Sequence, residues 1–256
     1  MSRIWLPRRR HLAEAIGVDR RTFLAAGLRT GGSAIAALAL AGCNSKGPRA
    51  AAGLLRSAER WNERVERRLF RRNAINVPSA RAKAAGLKFP SYFIADELPV
   101  WDEGQRGAWH LEVDGMVAKP LRLTLDELKA LPRTEARLEH FCVEGWSAVA
   151  VRTGVRLSDL ADHAGASSDA RYIDFQSFDD DYHESWDIDS ALHPQTLVVY
   201  GQDGEMLSPE YGAPARIYSP VKLGYKCTKY LTRIAFLAER NGGYWSDQGY
   251  EWYGGV

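Results

Sequence analysis

Charge is distributed unevenly along this chain of 256 residues, with a basic N-terminal part followed by an acidic part. The acidic part is the one expected to form the folded body of the protein. Residues 1–72 contain 16 Lys and Arg against 5 Asp and Glu, a balance of +11, whereas residues 73–256 contain 18 against 27, a balance of −9. The roughly 180 residues of the acidic part suffice for one domain with a sizeable core or for two closely packed lobes. An acidic body also argues against nucleic acid as a partner.

The first 43 residues have the features of an export signal. Residues 19–24 (Asp-Arg-Arg-Thr-Phe-Leu) resemble a twin-arginine motif, and the alanine-rich stretch that follows is interrupted by Arg29, which disfavours a permanent membrane span. Residues 40–43 fit a lipobox, in which Cys43 would be acylated. Residues 39–41 fit ordinary signal peptidase instead, which would release a soluble protein. We predict a periplasmic or otherwise exported protein, with both processing routes open.

Residues 44–90 are predicted to form a basic amphipathic helix followed by a linker. Apolar side chains recur at spacings of 4, 3, 4 and 4 residues between Leu54 and Leu69, and arginines crowd the remaining surface. Two placements are open. Close to an acylated Cys43 the helix would lie on anionic lipid, because one lipid chain and a basic patch together form a stable anchor. Alternatively, the helix packs on the body and its arginines are solvated.

Residues 91–256 are predicted to form an α+β domain with mixed sheets and short helices, because strands and helices do not alternate regularly. The predicted strands cover residues 109–115, 172–175, 196–200 and 215–218, with a hairpin turn at residues 201–204. The predicted helices cover residues 124–131, capped by Thr124 and closed by Pro132, and residues 156–164, capped by Ser158 or Asp159.

Cys142 is the most informative candidate for a functional residue. If Cys43 is acylated or removed, Cys142 and Cys227 remain, and a disulfide between them is one alternative. Zinc is disfavoured because His140 is the only donor close to Cys142, and zinc needs three or four ligands. A thiolate nucleophile of a protease or peroxidase is a second alternative. A single thiolate on a prosthetic metal centre fits best, since twin-arginine export carries proteins already folded around a cofactor.

Four ordered motifs between residues 92 and 256 are similar to those of the sulfite oxidase family of molybdopterin enzymes. They are Phe-Cys-Val-Glu-Gly-Trp-Ser at 141–147, Ala-Leu-His-Pro-Gln-Thr-Leu at 191–197, Pro-Glu-Tyr-Gly-Ala-Pro-Ala-Arg at 209–216 and Leu-Gly-Tyr-Lys-Cys-Thr-Lys at 223–229. The resemblance implies a sulfite-oxidase-type molybdopterin-binding fold, a molybdenum-molybdopterin cofactor (Mo-MPT), and Cys142 as the catalytic metal ligand. The first motif looks like that of the periplasmic protein-methionine-sulfoxide reductase branch.

The resemblance also implies which residues contact the cofactor. Molybdopterin carries a phosphate, which guanidinium, ammonium and backbone N–H groups bind, and Gly224 would let the backbone approach a ring or phosphate closely. The cofactor-binding residues expected on this basis are Phe93, Cys142, Ser177, Tyr211, Arg216, Lys226, Cys227, Thr228 and Lys229. Without the resemblance, Arg216 would be read as one half of a surface ion pair, and Lys226 and Lys229 as solvated strand ends.

Departures from sulfite oxidases favour a reductase. Two basic residues that follow the family's phenylalanine are missing after Phe93, Tyr211 replaces a histidine or asparagine, and no basic residue follows Cys142 closely. Sulfite is a dianion that needs positive charge near the metal. We predict oxygen-atom transfer that reduces a sulfoxide, small or protein-bound, with electrons from a membrane haem or quinol-linked donor. A sulfite dehydrogenase of the same fold and a non-catalytic exported lipoprotein are the alternatives.

Other polar and aromatic groups receive simpler interpretations. The acidic run at residues 179–184 lacks the spaced ligands of a calcium loop and is predicted to be solvated. His163 and His193 are predicted to be structural. The aromatic residues that could surround an apolar sulfoxide are Trp146, Tyr225, Trp245, Tyr250 and Trp252.

Overall fold

The computed structural model describes residues 52–79, 91–179 and 182–256. The predicted export signal, residues 80–90 of the predicted linker, and the acidic residues 180 and 181 lie outside these ranges. The chain divides into two compact units, residues 1–58 and 59–256. Helix α1 (Ala52–Leu69) corresponds to the predicted basic amphipathic helix. No helix within the described ranges combines the length and apolar character that a bilayer crossing requires.

Two five-stranded sheets form the framework of the second unit. Neighbouring strands across the first sheet are Leu121–Thr124 (β2), His110–Gly115 (β1), Leu231–Leu237 (β10), Tyr172–Ser177 (β5) and His183–Asp187 (β6). Strands β1 and β10 are parallel, and the other neighbours are antiparallel. This mixture of strand directions confirms the predicted α+β class with mixed sheets.

The second sheet is antiparallel and carries the turn on which Cys142 lies. Its strands are Arg133–Phe141 (β3), Ser147–Arg156 (β4), Leu197–Gln202 (β7), Glu205–Met206 (β8) and Arg216–Tyr218 (β9). Strand β4 lies between β3 and β7, and β7 also pairs with β8 and β9. Every residue of β7 is buried, which agrees with the apolar run at residues 197–200.

Short helices and 3-10 turns connect the strands. They are Glu103–Arg106 (α2), Leu125–Ala130 (α3), Leu157–Ala164 (α4), Ile188–Ala191 (α5), Tyr244–Asp247 (α6), and the 3-10 turns Pro209–Tyr211 and Gly224–Lys226. Helix α3 begins with the predicted cap, because Thr124 Oγ1 accepts a hydrogen bond from the Glu127 N–H (3.2 Å) and the Glu127 carboxylate accepts one from the Thr124 N–H (2.8 Å).

Helix α4 begins two residues earlier than a cap at Ser158 allows, and three earlier than a cap at Asp159 allows. Arg156 occupies the N-cap position and makes no side-chain cap bond, so the prediction of Ser158 or Asp159 as the cap is wrong. The Leu157 N–H donates to the Thr196 carbonyl at 3.0 Å. A contact with the chain that leads into β7 therefore fixes the start of this helix, and such a contact is not encoded in the local sequence.

One buried apolar cluster joins the two sheets. It includes Leu111 of β1 and Phe175 of β5 from the first sheet, and Val155 of β4 and Val198 of β7 from the second. Trp186 of β6 is also fully buried, and its indole N–H donates to the Lys226 carbonyl at 2.9 Å. The core thereby fixes the position of the chain that leads into β10.

The acidic run that was predicted to be solvated is buried where the structure describes it. The Asp179 carboxylate accepts hydrogen bonds from the backbone N–H groups of Ile94 (3.0 Å) and Ala95 (2.9 Å). Glu184 is fully buried and forms an ion pair with Lys226. The prediction is wrong for these two carboxylates, because distant parts of the chain supply the donors that make their burial tolerable.

The two histidines that were predicted to be structural have different environments. His193 is fully buried, with Nε2 at 3.0 Å from the Ala74 carbonyl oxygen and Nδ1 accepting from the Gln195 N–H at 3.2 Å. Its structural role is confirmed. His163 is exposed in the last turn of α4, where a basic residue interacts favourably with the helix C-terminus.

Candidate active site

A cleft of about 550 Å³ opens in the second unit and gathers most of the predicted site residues. The predicted cofactor residues that line it are Phe93, Cys142, Ser177, Tyr211, Arg216, Cys227 and Lys229. Lys226 and Thr228 are not among the lining residues. Only part of the four sequence motifs therefore lines the cleft. The role of each residue as a cofactor contact stays a prediction.

Cys142 is presented by the tight turn between β3 and β4. The Cys142 N–H donates to the Trp146 carbonyl (2.9 Å), and the Gly145 N–H donates to the Cys142 carbonyl (3.0 Å). Gly145 has a φ of +87°, which glycine adopts without steric cost. The turn leaves Cys142 partly exposed in the cleft. Because Cys142 and Cys227 are both free thiols, the alternative of a disulfide between them is wrong.

The surroundings of the Cys142 thiol disfavour a free thiolate. Burial raises the pKa of this thiol, and the neighbouring Glu144 carboxylate adds to the increase, although backbone hydrogen bonds partly oppose it. A cysteine nucleophile needs a lowered pKa, so these surroundings argue against a thiol protease or peroxidase. A metal ligand is not disfavoured in the same way, because metal binding itself displaces the thiol proton.

Glu144 places a negative charge beside Cys142. Its Oε2 atom accepts hydrogen bonds from the Trp146 indole N–H (3.0 Å) and the Tyr92 hydroxyl (3.3 Å), and it lies 3.8 Å from Cys142 Sγ. The Tyr92 and Trp146 rings stack with centroids 6.4 Å apart. Tyr92 was missed in the sequence, since only its position next to Phe93 pointed to it. The pair of aromatic donors holds the carboxylate at the metal-ligand candidate.

Positive charge enters the cleft from Arg216 and Lys229. The buried Arg216 guanidinium donates to the carbonyls of Tyr211 (3.1 Å) and Cys227 (3.0 Å), and its Nε has no hydrogen-bond partner among the residues that the structure describes. Lys229 Nζ donates to the Glu210 carbonyl at 3.1 Å and lies 5.7 Å from the centroid of the Phe93 ring. Reading Arg216 as half of a surface ion pair is wrong, because carbonyls hold it inside the protein.

Lys229→Met should stabilise the cofactor-free chain, and more strongly at about pH 6 than at about pH 9. Burial, followed by the charge of Arg216, lowers the pKa of Lys229 to about 7. Below pH 7 the folded protein bears the whole cost of the desolvated cation. Above it, the folded lysine loses its proton while the unfolded lysine keeps it, so the cost declines as the pH rises toward 10.5, the ordinary pKa of lysine.

Thermal unfolding of the parent chain and of Lys229→Met at about pH 6 and about pH 9 measures the gain in Tm at each pH. The exposed Lys119→Met is the matched control, because it removes a lysine that lies outside the cleft. An equal gain in Tm from Lys229→Met at both pH values would contradict the depressed pKa.

His140 and Gly224 form a tightly packed part of the cleft wall. The His140 ring packs against Trp146 (5.5 Å between centroids) and Tyr218 (5.8 Å), and burial, with Arg216 adding to it, lowers its pKa well below the usual value. His140 shares the cleft with Cys142, as their two-residue spacing predicts. Gly224 permits a close backbone approach, as predicted, but the ring that it approaches is His140: an added Cβ would lie 2.4 Å from Nε2.

Gly224→Ala should lower the free energy of unfolding by about 1–3 kcal/mol, because the new methyl group forces the buried His140 ring to move. Chemical denaturation with two-state analysis measures the change. Gly53→Ala is the control, since a Cβ there meets nothing within 4 Å and alanine is the better helix former. An unchanged stability for Gly224→Ala would show that the wall around His140 is loosely packed.

Asp179 fixes the chain segment that brings Phe93 into the cleft. Its carboxylate accepts from the N–H groups of Ile94 and Ala95, the two residues that follow Phe93. Its own N–H donates to Ser177 Oγ at 2.9 Å. The Ser177 hydroxyl therefore stabilises the cleft wall through Asp179, and no property of the sequence around Ser177 predicts this contact.

Aromatic rings form much of the remaining wall. Four of the five aromatic candidates, Trp146, Tyr225, Trp245 and Tyr250, line the cleft. Trp252 does not, because it is buried next to Arg240 (4.8 Å from the ring centroid) and Lys226 (5.5 Å). The aromatic lining residues that sequence reasoning missed are Tyr92, Tyr182, Tyr230 and Tyr244.

Lys226 and Thr228 contribute to the structure behind the cleft. Lys226 Nζ pairs with Glu184 and lies 3.3 Å from Ser246 Oγ, so its charge is compensated inside the protein. Thr228 is buried, and its N–H donates to the Lys226 carbonyl at 3.1 Å. Solvated strand ends are therefore the wrong description for Lys226. Its predicted contact with the cofactor receives no support from the cleft lining.

Comparison with known proteins decides the family. The sequence model of the family described as "oxidoreductase molybdopterin binding domain" matches residues 97–245. The chain belongs to this family. The resemblance to the sulfite oxidase family is thereby confirmed, and the protein is a molybdopterin-dependent oxidoreductase. The alternative of a non-catalytic lipoprotein is not retained.

Two relatives and one solved structure are similar to parts of this chain. The protein YedZ1 of Azospira oryzae, provisionally named a protein-methionine-sulfoxide reductase subunit, is 37% identical over 238 residues, which cover 92% of this chain and 87% of the relative. MsrP of Ralstonia nicotianae, named a protein-methionine-sulfoxide reductase catalytic subunit, is 34% identical over 144 residues, or 50% of this chain and 44% of the relative. The sulfane dehydrogenase SoxCD of Paracoccus pantotrophus aligns with 52% of this chain and 39% of its own at 22% identity and a TM-score of 0.49.

The donors in the cleft fit the family's cofactor. Cys142 offers one soft thiolate ligand, and the unpartnered Arg216 Nε offers a buried donor that an anionic group would satisfy. Lys229 adds a second cation in the same wall. A thiolate for a metal, together with cations for a phosphate, is the combination that a metal-bearing molybdopterin requires.

Proposed function

We propose that this chain is an exported molybdenum-molybdopterin oxidoreductase that reduces sulfoxides, above all protein-bound methionine sulfoxide, by oxygen-atom transfer. The observation that carries the proposal is the Glu144 carboxylate, which lies 3.8 Å from Cys142 Sγ. A fixed negative charge there repels the dianion sulfite but not a neutral sulfoxide. The names of YedZ1 and MsrP support the same substrate class.

Different side chains of the cleft would bind the metal, the pterin and the sulfoxide. Cys142 would hold the molybdenum, and Arg216 and Lys229 would bind the anionic part of the pterin. Bound molybdenum-molybdopterin would supply the two-electron oxygen-atom transfer. Trp146 and Tyr92 orient the Glu144 carboxylate, and the aromatic wall binds the apolar groups beside the sulfoxide and excludes water from them.

The cellular setting follows from residues 19–24 and from Cys43. We infer export by the twin-arginine route, because a cofactor of this kind is loaded before translocation. Either Cys43 is then acylated, or the signal is cut before Gly42 and the protein is released without a lipid anchor. Electrons come from a membrane haem or quinol-linked protein.

A fusion of residues 1–50 to a reporter protein tests the export route. We expect the reporter to be exported, and substitution of Arg20 and Arg21 to block that export.

Competing assays on the molybdenum-loaded full chain test the substrate. We expect kcat/KM for methionine sulfoxide, with a reduced dye as donor, to exceed kcat/KM for sulfite, with a dye as acceptor, by about 100-fold or more. Glu144→Gln should narrow this ratio by about tenfold, because it removes the repulsion of the dianion. Glu205→Gln, an exposed carboxylate outside the cleft, is the control. If the parent chain turned over sulfite faster than methionine sulfoxide, the proposal would be overturned in favour of a sulfite dehydrogenase. Arg216 and Lys229 would then be the cations that bind the sulfite anion.

A further inference from the structure

The part of helix α1 in the second unit, residues 59–69, turns a charged face toward the rest of that unit. Glu63 pairs with Arg67 at 3.0 Å and with Arg240 at 3.3 Å. The Arg67 guanidinium also lies 5.6 Å from the centroid of the Trp252 ring. The ion pair between Glu63 and Arg240 and the cation–π contact of Arg67 therefore hold this segment in place, where a surface helix usually packs with its apolar stripe.

The apolar stripe of the same segment faces outward. Trp61, Val65 and Leu69 follow one another at a spacing of four residues, which places them on one side of the helix. Their exposed fractions are 63%, 38% and 74%. Three large apolar side chains in a row at the surface mark a contact site. The sequence left two placements of the helix open, on lipid or on the body of the protein. In the structure this segment of the helix packs on the body, and its apolar face stays exposed to a partner.

The charges beside the stripe identify the kind of partner. Arg64, Arg68 and Arg71 are exposed along it. The partly buried side of the helix carries its three glutamates, Glu59, Glu63 and Glu66. The surface around the stripe is therefore basic, whereas residues 73–256 carry a balance of −9. An apolar stripe with an interfacial tryptophan and flanking arginines is complementary to an anionic lipid surface.

We propose that helix α1 binds an anionic lipid surface through Trp61, Val65 and Leu69, with the flanking arginines on the headgroups. The position of Cys43, nine residues before Ala52, is consistent with this placement. Nine extended residues span at most about 30 Å, so an acyl chain on Cys43 and the helix reach the same bilayer. The proposal concerns where the enzyme works and is independent of its substrate.

Vesicle binding by the full chain carrying Cys43→Ala tests the proposal without any contribution from an acyl chain. Flotation with phosphatidylcholine vesicles that contain about 30% phosphatidylglycerol should show binding that pure phosphatidylcholine does not support. Trp61→Ser, Val65→Ser and Leu69→Ser together should reduce the partition coefficient by roughly tenfold or more. Arg64→Gln, Arg68→Gln and Arg71→Gln together should reduce it by roughly 100-fold.

Matched substitutions elsewhere on the surface keep the test specific. Val100→Ser with Met206→Ser, and Arg122→Gln with Arg133→Gln, remove exposed apolar and basic side chains from other elements and should leave partitioning unchanged. An unchanged Tm shows that the helix variants are folded. Equal binding to both vesicle types, or no binding to either, would overturn the proposal. Binding only to native membranes that contain protein would also overturn it, and would make a membrane protein the occupant of the stripe.

Discussion

Cys142→Ser should lower the turnover of the proposed sulfoxide reduction by roughly 10³-fold or more, equivalent to about 4 kcal/mol or more of transition-state stabilisation. The turn between β3 and β4 presents the partly exposed Cys142 thiol in the cleft beside Glu144. A serine hydroxyl is a harder and weaker ligand for the metal than a thiolate, so the metal's potential and its retention both change. Steady-state turnover with a reduced dye measures the loss, and the visible absorption spectrum reports the change at the metal.

Cys43→Ser is the control for this substitution, because it removes the cysteine of the predicted export signal. Assayed as the purified full chain, it should retain the turnover of the parent. Turnover of Cys142→Ser within about tenfold of the parent would rule out the metal-ligand role.

Lys226→Met should lower the free energy of unfolding by about 3–5 kcal/mol, because it leaves the fully buried Glu184 carboxylate without its cation. Among the residues that the structure describes, Glu184 then keeps the weaker donors, the Trp245 N–H (3.1 Å) and the Ser246 hydroxyl (3.3 Å). Because this pair links β6, the 3-10 turn at Gly224–Lys226 and α6, its loss should also loosen the cleft wall at Tyr225.

Denaturant unfolding of the cofactor-free chain measures this loss of stability. The double variant Lys226→Met with Glu184→Gln should recover most of it, since no unpaired buried charge remains. Arg133→Met removes one partner of the exposed Arg133–Glu135 pair (2.8 Å) and should change the stability by less than about 0.5 kcal/mol. A cost below about 1 kcal/mol for Lys226→Met would show that water reaches Glu184.

Local chemistry in the sequence was sufficient for several elements and for selecting Cys142, which lies in the cleft, as the main candidate. The capping box at Thr124 and Glu127 depends on residues three apart, and the hairpin turn after β7 depends on Asp203-Gly204. Cys142 could be found because an isolated thiol in a recognisable motif has few alternative roles. Cys142 lies on a tight turn because the motif places a glycine, Gly145, where the turn needs a positive φ.

The environment of the buried charges could not be predicted in the same way. Asp179 and Glu184 are separated along the chain from their partners, which are the N–H groups of residues 94 and 95 and the ammonium of Lys226. A charged residue is stable in the interior only with such a partner, and a single sequence does not reveal it. Lys226 was assigned to the cofactor because it lies in the family motif at residues 223–229 and a phosphate needs cations, and the sequence does not show its pairing with Glu184.

Side chains from distant motifs also complete the cleft. Tyr92 contacts Glu144 across 52 residues of chain, and Gly224 packs on His140 although 84 positions separate them. Neither contact has a periodic or local signal. The family motifs indicated the region of the site, and the fold determined which of their side chains face the cleft.

The molybdenum content of the purified full chain tests the central claim most directly. After expression in a host that makes molybdopterin, elemental analysis should give about one equivalent of molybdenum for the parent chain, because the cleft offers one partly exposed thiol, Cys142, and two cations for one cofactor, whereas the Cys227 thiol is buried. A content below about a tenth of an equivalent in the folded parent chain would contradict the claim that this cleft binds molybdenum-molybdopterin.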